Sequence, residues 1–335
     1  MKACIYGAGA IGGWIGAALA RAGQRPNVVA RGATLAALRQ DGLTLVRRDE
    51  GGADVRERVP VHAVEDPADL GPQDLVVVAV KAPALEAVAA RIGPLIGPDT
   101  TVLTAMNGVP WWFLEGGFGG PLAGRRLTAV DPAGAIAEAI PSRHVIGGVV
   151  HCSCSLDAPG VVRHHFGSGL ILGEPSGEAT PRVQRLAELL ARGGVQASVS
   201  PQIQKDVWYK LWGNMTVNPV SALTGATTDR ILGDDLVRGF ISAVMLEARE
   251  IGERIGVPIA ESPEDRHNVT RKLGPFKTSM LQDVEAGRAV ELDALVSAVR
   301  ELGQGVGLHT PFTDALLGLA RLQAQELGLY GARSS

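Results

Sequence analysis

Six residues near the start of the chain leave few folds open to it. Gly7-Ala8-Gly9-Ala10-Ile11-Gly12 follows a short strand-like run, residues 2–6, and precedes a stretch of small residues reaching about Arg21. Glycines at this spacing between a strand and a helix have separate tasks. One permits a tight turn, one lets backbone approach a pyrophosphate, and one lets the helix pack on the strand. The helix N-terminus then offers unpaired N–H groups and a positive dipole end to the phosphates. Gly7, Ala8, Gly9, Ala10, Ile11 and Gly12 are therefore the expected dinucleotide cradle. A glycine-rich loop that serves only packing is the competing explanation, and the flanking strand and helix weigh against it.

The kind of dinucleotide is also readable. An NAD site commonly places an acidic residue about twenty positions on, at the end of the second strand, for the ribose 2′-hydroxyl. This chain has no Asp or Glu before Asp41, and Arg31 stands at the end of its second strand. A guanidinium there pairs with the 2′-phosphate, so NADPH (NADP+) is the expected cofactor. A solvent-exposed arginine without a ligand is the plainer alternative.

The alternation begun by the cradle continues. Residues 27–31, 43–47, 55–64, 75–80 and 101–104 read as strands, and 35–39 and 83–92 as helices. The stretch 75–80 is wholly apolar, as in a buried parallel strand. Residues 145–154, 161–166 and 170–172 extend the same sheet, and 181–192 is a helix. This pattern indicates a doubly wound α/β sheet. After Pro201 helical periodicity takes over, at 206–218, 235–255, 280–285 and 291–303. The expected organisation is a Rossmann-like domain over 1–199, an all-α C-terminal domain over 200–330 and a tail at 331–335.

Composition excludes several classes. Of 335 residues, 46% are hydrophobic and 20% charged, which supplies packed cores and rules out a disordered chain. A net charge of -3 gives no basic field for nucleic acid. No run reaches the roughly 18 apolar residues of a membrane span, and the glycines interrupt the small, apolar stretch after Lys2 in a way the core of a signal peptide is not built. A cytoplasmic protein without nucleic-acid or membrane partners is expected. Cys4, Cys152 and Cys154 are too few and too odd for a disulfide framework. Cys152 and Cys154 alternate along a strand, so both thiols should face one side. Zinc with His151, His164 or His165 is the alternative to reduced thiols; no metal is expected.

The second half carries Lys210-Leu211-Trp212-Gly213-Asn214-Met215-Thr216-Val217-Asn218-Pro219. Lys210, Asn214 and Asn218 fall at i, i+4 and i+8, on one helix face. Buried amides need partners, so this face is either a site or a solvated polar stripe.

With these residues in view, the sequence resembles the ketopantoate reductases (2-dehydropantoate 2-reductases). The resemblance rests on six motifs in order: Gly7 to Gly12, Val80-Lys81-Ala82, Asn107-Gly108, Lys210 to Pro219, Ser279-Met280-Leu281-Gln282-Asp283, and Glu291-Leu292-Asp293. It implies NADPH-dependent reduction of a small 2-keto acid, ketopantoate to pantoate, on the route to pantothenate and coenzyme A. It implies Lys210 as proton donor to the carbonyl oxygen, with Glu291 beside the lysine and the cofactor ribose. Asn214 and Asn218 would bind substrate polar groups and Ser279 its carboxylate. Lys81 and Asn107 would hold the nicotinamide half, Asn107 also touching substrate. A homodimer stays open. A D-2-hydroxyacid dehydrogenase with another 2-keto acid is the rival within the class, and a non-catalytic NADPH-sensing regulator the rival outside it. Plainer roles exist for single residues: Ser279 as a helix N-cap with Gln282, Glu291 in a helix first turn, Lys81 as a surface lysine. The aromatic cluster Trp111-Trp112-Phe113 either lines the pocket or packs a loop against the sheet.

Overall fold

Strand-length apolar runs need partners on both edges, and one sheet supplies them. Its strands are β1 (Ala3–Tyr6), β2 (Asn27–Val29), β3 (Leu43–Arg48), β4 (Asp54–Val59), β5 (His62–Val64), β6 (Leu75–Val78), β7 (Thr101–Ala105), β8 (Val145–Ala158), β9 (Val161–Gly173) and β10 (Gln196–Val199). The order is β4-β3-β9-β8-β7-β6-β1-β2-β5, with β10 also paired to β9. From β5 at one end through β2, β1, β6 and β7 to β8, neighbouring strands pair parallel. Helices α1 (Ala10–Arg21), α2 (Gly32–Asp41), α3 (Leu85–Ile92), α4 (Ala135–Ala139) and α5 (Pro181–Arg192) complete this unit.

The single strand expected over 55–64 is in fact two, broken at Pro60-Val61. β4 pairs antiparallel with β3, whereas β5 pairs parallel with β2, so consecutive strands occupy the two ends of the strand order. The short link spans roughly 10 Å at full stretch. A flat path of nine strands would separate those ends by roughly 38 Å. The sheet must therefore curl into a partial barrel. α1 packs against its inner side, with Gly13 against Val162 and Leu43, and Gly16 against Leu43 and Ile5. This explains why α1 is built from small residues and is buried from Gly12 to Leu19.

The thiols sit in this unit. Burial pushes Cys4 up to about 12. The Cys152 and Cys154 sulfurs face the same side, 3.8 Å apart. Their mutual hydrogen bond, then burial, raise the Cys154 thiol.

The structure is a computed structural model that describes residues 1–331; of the expected tail, 332–335 lie outside the described residues. The sheet unit comprises Met1–Met106 and Ala135–Asp206, and a second unit comprises Asn107–Gly134 and the described chain from Val207 on. Thus the units divide a few residues after the expected boundary at 199/200, and an excursion of the chain, Asn107–Gly134, groups with the helices.

The second unit contains most of α6 (Ile203–Thr224), then α7 (Thr228–Gly233), α8 (Asp235–Arg254), α9 (Pro263–Arg271), α10 (Ser279–Glu285), α11 (Ala298–Gly305) and α12 (Pro311–Glu326). α6 runs on through Pro219 instead of ending at Asn218. Its Trp208, Leu211, Trp212 and Met215 are buried. Trp111, Trp112 and Phe113 are buried too. The Phe113 ring lies 6.0 Å from that of Trp208 and 5.7 Å from that of Phe118. Through Phe113 the cluster packs the excursion onto α6. Glu247 of α8 accepts from the N–H groups of Phe312 and Thr313, 2.9 Å each, satisfying donors that the start of α12 leaves unpaired. No helix among the described residues is long and apolar enough to cross a membrane.

Candidate active site

In the sheet unit, the glycine loop joins β1 to α1. Gly7 has φ +101°, and a Cβ there would stand 2.6 Å from Val80 Cγ1 and 2.9 Å from the Ala79 oxygen. A Cβ on Gly12 would overlap the Gly7 carbonyl oxygen. Gly9 is different. It is the N-cap of α1, and a Cβ there would meet no atom within 4 Å. The space ahead of the helix is thus open, and no acidic residue stands in the first turn to repel an anion. This cradle fits a pyrophosphate.

Arg31 follows the end of β2 and is the N-cap of α2; Lys81 follows β6. Both are exposed. Since β2, β1 and β6 are adjacent and parallel, Arg31, the glycine loop and Lys81 share the carboxyl end of the sheet, where ligands of such folds gather. The electrostatics agree: burial raises the Tyr6 phenol at the end of β1, and Arg91 and Arg31 partly offset this.

The second unit assembles another group. The Lys210 Nζ donates to Asn107 Oδ1 at 2.8 Å. Next to Asn107, Gly108 has φ +85°, and a Cβ there would lie 2.6 Å from Ala294 Cβ and 2.7 Å from its oxygen. The Val109 N–H donates to that same oxygen at 2.8 Å. Ala294 belongs to a π-helical turn, Asp293–Ser297. Asp293 Oδ1 accepts from Ser297 Oγ at 3.0 Å and Tyr330 Oη at 2.7 Å. Such turns distort the backbone locally and are frequent at functional sites. Glu291 is buried immediately before Leu292, where the helix begins, and its backbone oxygen accepts from the Leu295 N–H at 3.2 Å, so it stands at the helix start. Asn107, Lys210 and the 291–294 segment are thus brought together in one unit.

Asn214 and Asn218 follow Lys210 by one and two turns of α6. Asn214 is half-buried and Asn218 buried. Neither side-chain amide has a hydrogen-bond partner among the described residues. Ser279 is exposed at the first position of α10. The N-cap there is Thr278, whose hydroxyl accepts from the Leu281 N–H at 3.2 Å, and Gln282 donates to the Lys277 oxygen. Thr278, not Ser279, is therefore the cap. Arg266, which no spacing rule singled out, lies against Gly213 on α6. Its helix α9 is mostly charged and polar, and an apolar period that would have revealed it is missing.

The close fit at Gly108 makes a prediction. Gly108→Ala should lose about 1–3 kcal/mol of stability through overpacking. It should also displace Asn107 from Lys210, lowering kcat by more than the melting curve alone accounts for. A thermal melt with steady-state kinetics checks this; unchanged values for both would show that the contact to Ala294 is slack.

Residues 3–112 match the family model described as ketopantoate reductase PanE/ApbA, and residues 202–324 match that of its C terminal. A 2-dehydropantoate 2-reductase of Mesorhizobium japonicum is 48% identical over 331 residues, covering 98% of this chain and 100% of that one. The chain belongs to the ketopantoate reductase family of oxidoreductases. A crystal structure assigned as a ketopantoate reductase, from Ralstonia solanacearum MolK2, matches with a TM-score of 0.92 and 59% identity over 98% of this chain and 99% of that one. The 2-dehydropantoate 2-reductase of Geobacter metallireducens GS-15 matches with a TM-score of 0.83 and 26% identity, over 96% and 100%. A D-mandelate dehydrogenase shares the fold, with a TM-score of 0.82 at 21% identity. The Rossmann-like sheet followed by helices, expected from the sequence, is the fold of this family.

Proposed function

We propose that the protein reduces a 2-keto acid to a 2-hydroxy acid with NADPH, ketopantoate to pantoate, in the supply of pantothenate and coenzyme A. The observation that carries this reading is the ammonium of Lys210, held at 2.8 Å by Asn107 on a helix face that continues with two unpartnered amides. When bound, NADPH supplies the hydride. Reduction of a ketone builds negative charge on its oxygen, and Lys210 stabilises and protonates that oxygen. Asn107 fixes the ammonium and contacts the nicotinamide half together with Lys81. Asn214 and Asn218 bind the substrate's polar groups, Ser279 its carboxylate, and Glu291 lies by the lysine. Gly7 to Gly12 hold the pyrophosphate and Arg31 the 2′-phosphate.

The test is NADPH oxidation across a panel of 2-keto acids. Ketopantoate should give the highest kcat/KM. A higher value for an aromatic keto acid would make the protein a D-2-hydroxyacid dehydrogenase of other specificity, and no oxidation with any would favour a sensor. The cofactor role has its own test. Arg31→Ala should weaken NADPH by about 10- to 100-fold, the worth of a charged hydrogen-bonded pair, and leave NADH nearly unchanged. Equal losses for both cofactors would remove Arg31 from the 2′-phosphate site.

A further inference from the structure

The Arg266 guanidinium of α9, in the second unit, is partly buried with no carboxylate beside it among the described residues. Its Nε is sealed from solvent without a hydrogen-bond partner. Its neighbour is the Tyr209 ring, whose centroid lies 5.6 Å from Cζ. Two other partly buried arginines, Arg182 and Arg163, are paired with carboxylates: Arg182 meets Glu174, and Arg163 meets Asp54 and Asp157. Taking a guanidinium out of water is costly unless an anion compensates it. Burial accordingly lowers the Arg266 pKa, with only Tyr209 opposing the shift.

The position of Arg266 indicates which anion. A Cβ on Gly213 would lie 2.6 Å from its Nη2 and 2.8 Å from its Nε, so only glycine there admits the guanidinium against α6. Gly213 is three residues after Lys210 and immediately before Asn214. Side chains at i and i+3 of a helix start about 5–6 Å apart. A small keto acid whose carbonyl oxygen faces the Lys210 ammonium can therefore extend its acid end toward Arg266. Ser279 offers that end one neutral hydroxyl; a carboxylate accepts several bonds and carries a charge.

We infer that Arg266 binds the carboxylate of the 2-keto acid, and that Gly213 is present to let it do so; this rests on the reductase reading above. The guanidinium matches a carboxylate with two parallel N–H donors. It selects anionic substrates over neutral ketones of the same shape.

The experiment compares the best keto acid from the panel with its methyl ester. Arg266→Met keeps the apolar stem and removes the charge, and such replacements are often neutral for folding. KM for the acid should rise about 10- to 100-fold, with kcat changed only a few-fold and KM for NADPH unchanged. The ester should be reduced about as well as before, so the preference for acid over ester collapses. Gly213→Ala, which pushes the guanidinium aside without removing it, should shift the same preference in the same direction. A purely packing role would affect acid and ester alike. If folded Arg266→Met and Gly213→Ala enzymes keep the wild-type preference, the carboxylate role is overturned and the reductase reading stands. If the wild-type protein reduces no 2-keto acid, both readings are overturned together.

Discussion

In a Lys210→Ala enzyme, kcat should fall by about 10²- to 10⁴-fold, the range seen on removing a general acid. The geometry gives the reason. The ammonium is held at 2.8 Å by Asn107, so its charge is placed before the reaction. α6 is anchored below by buried Trp208, Leu211 and Trp212, and Trp212 Nε1 donates to the Met245 oxygen at 2.7 Å. Alanine is a good helix former, so the variant should fold. Cofactor affinity should change little. Asn107→Ala, which releases the ammonium without deleting it, should cost less. Asn214→Ala and Ser279→Ala should act mainly through KM, if those side chains bind ground state and transition state alike. Steady-state kinetics beside a thermal melt decide the matter. A folded Lys210→Ala enzyme with near-normal kcat would eliminate the proton-donor role.

Gly12→Ala should be the most damaging single change in the cofactor cradle. Its Cβ would overlap the Gly7 oxygen, and neither backbone segment can yield freely, because a Cβ-free Gly7 already lies against Val80 and Ala79. Displacing the loop by about 1 Å should weaken cofactor binding on the order of 10²-fold, with about 1–3 kcal/mol lost in stability. Gly9→Ala is the informative partner. Its Cβ meets no protein atom, so the fold should be unaffected. The methyl group would nevertheless stand in the space ahead of α1 and weaken the dinucleotide. Fluorescence titration with NADPH and a thermal melt separate the two variants. Full NADPH affinity in the Gly12→Ala protein would mean that the phosphates are held elsewhere.

Much of the candidate site was readable because it depends on local rules. The glycine loop is a contiguous motif whose backbone demands are met within a few residues. Lys210, Asn214 and Asn218 share a face because a helix repeats every 3.6 residues. The proximity of Asn107 to Lys210 was implied only by the family resemblance. Arg266 carries no local sequence signal, because its significance lies in what surrounds it: a buried Nε, a tyrosine ring and a glycine on another helix. The exchange of Ser279 for Thr278 as N-cap turns on a shift of one residue at a helix start, a precision that sequence pattern does not reach.

By itself the sequence determined the alternating sheet, the dinucleotide cradle and the helical second half, since turn chemistry and apolar periodicity act between near neighbours. Tertiary structure decided what local preference leaves open. β4 and β5 read as one strand, yet they end at opposite ends of the strand order because the available edges belong to β3 and β2. The excursion Asn107–Gly134 joins the helices because Gly108 fits against Ala294 and Phe113 against Trp208. The helix after Glu291 widens into a π turn where Asp293 takes hydrogen bonds from Ser297 and Tyr330. In each case the deciding partner is remote in the chain, and its contact free energy exceeds the small differences among local conformations that the sequence pattern registers.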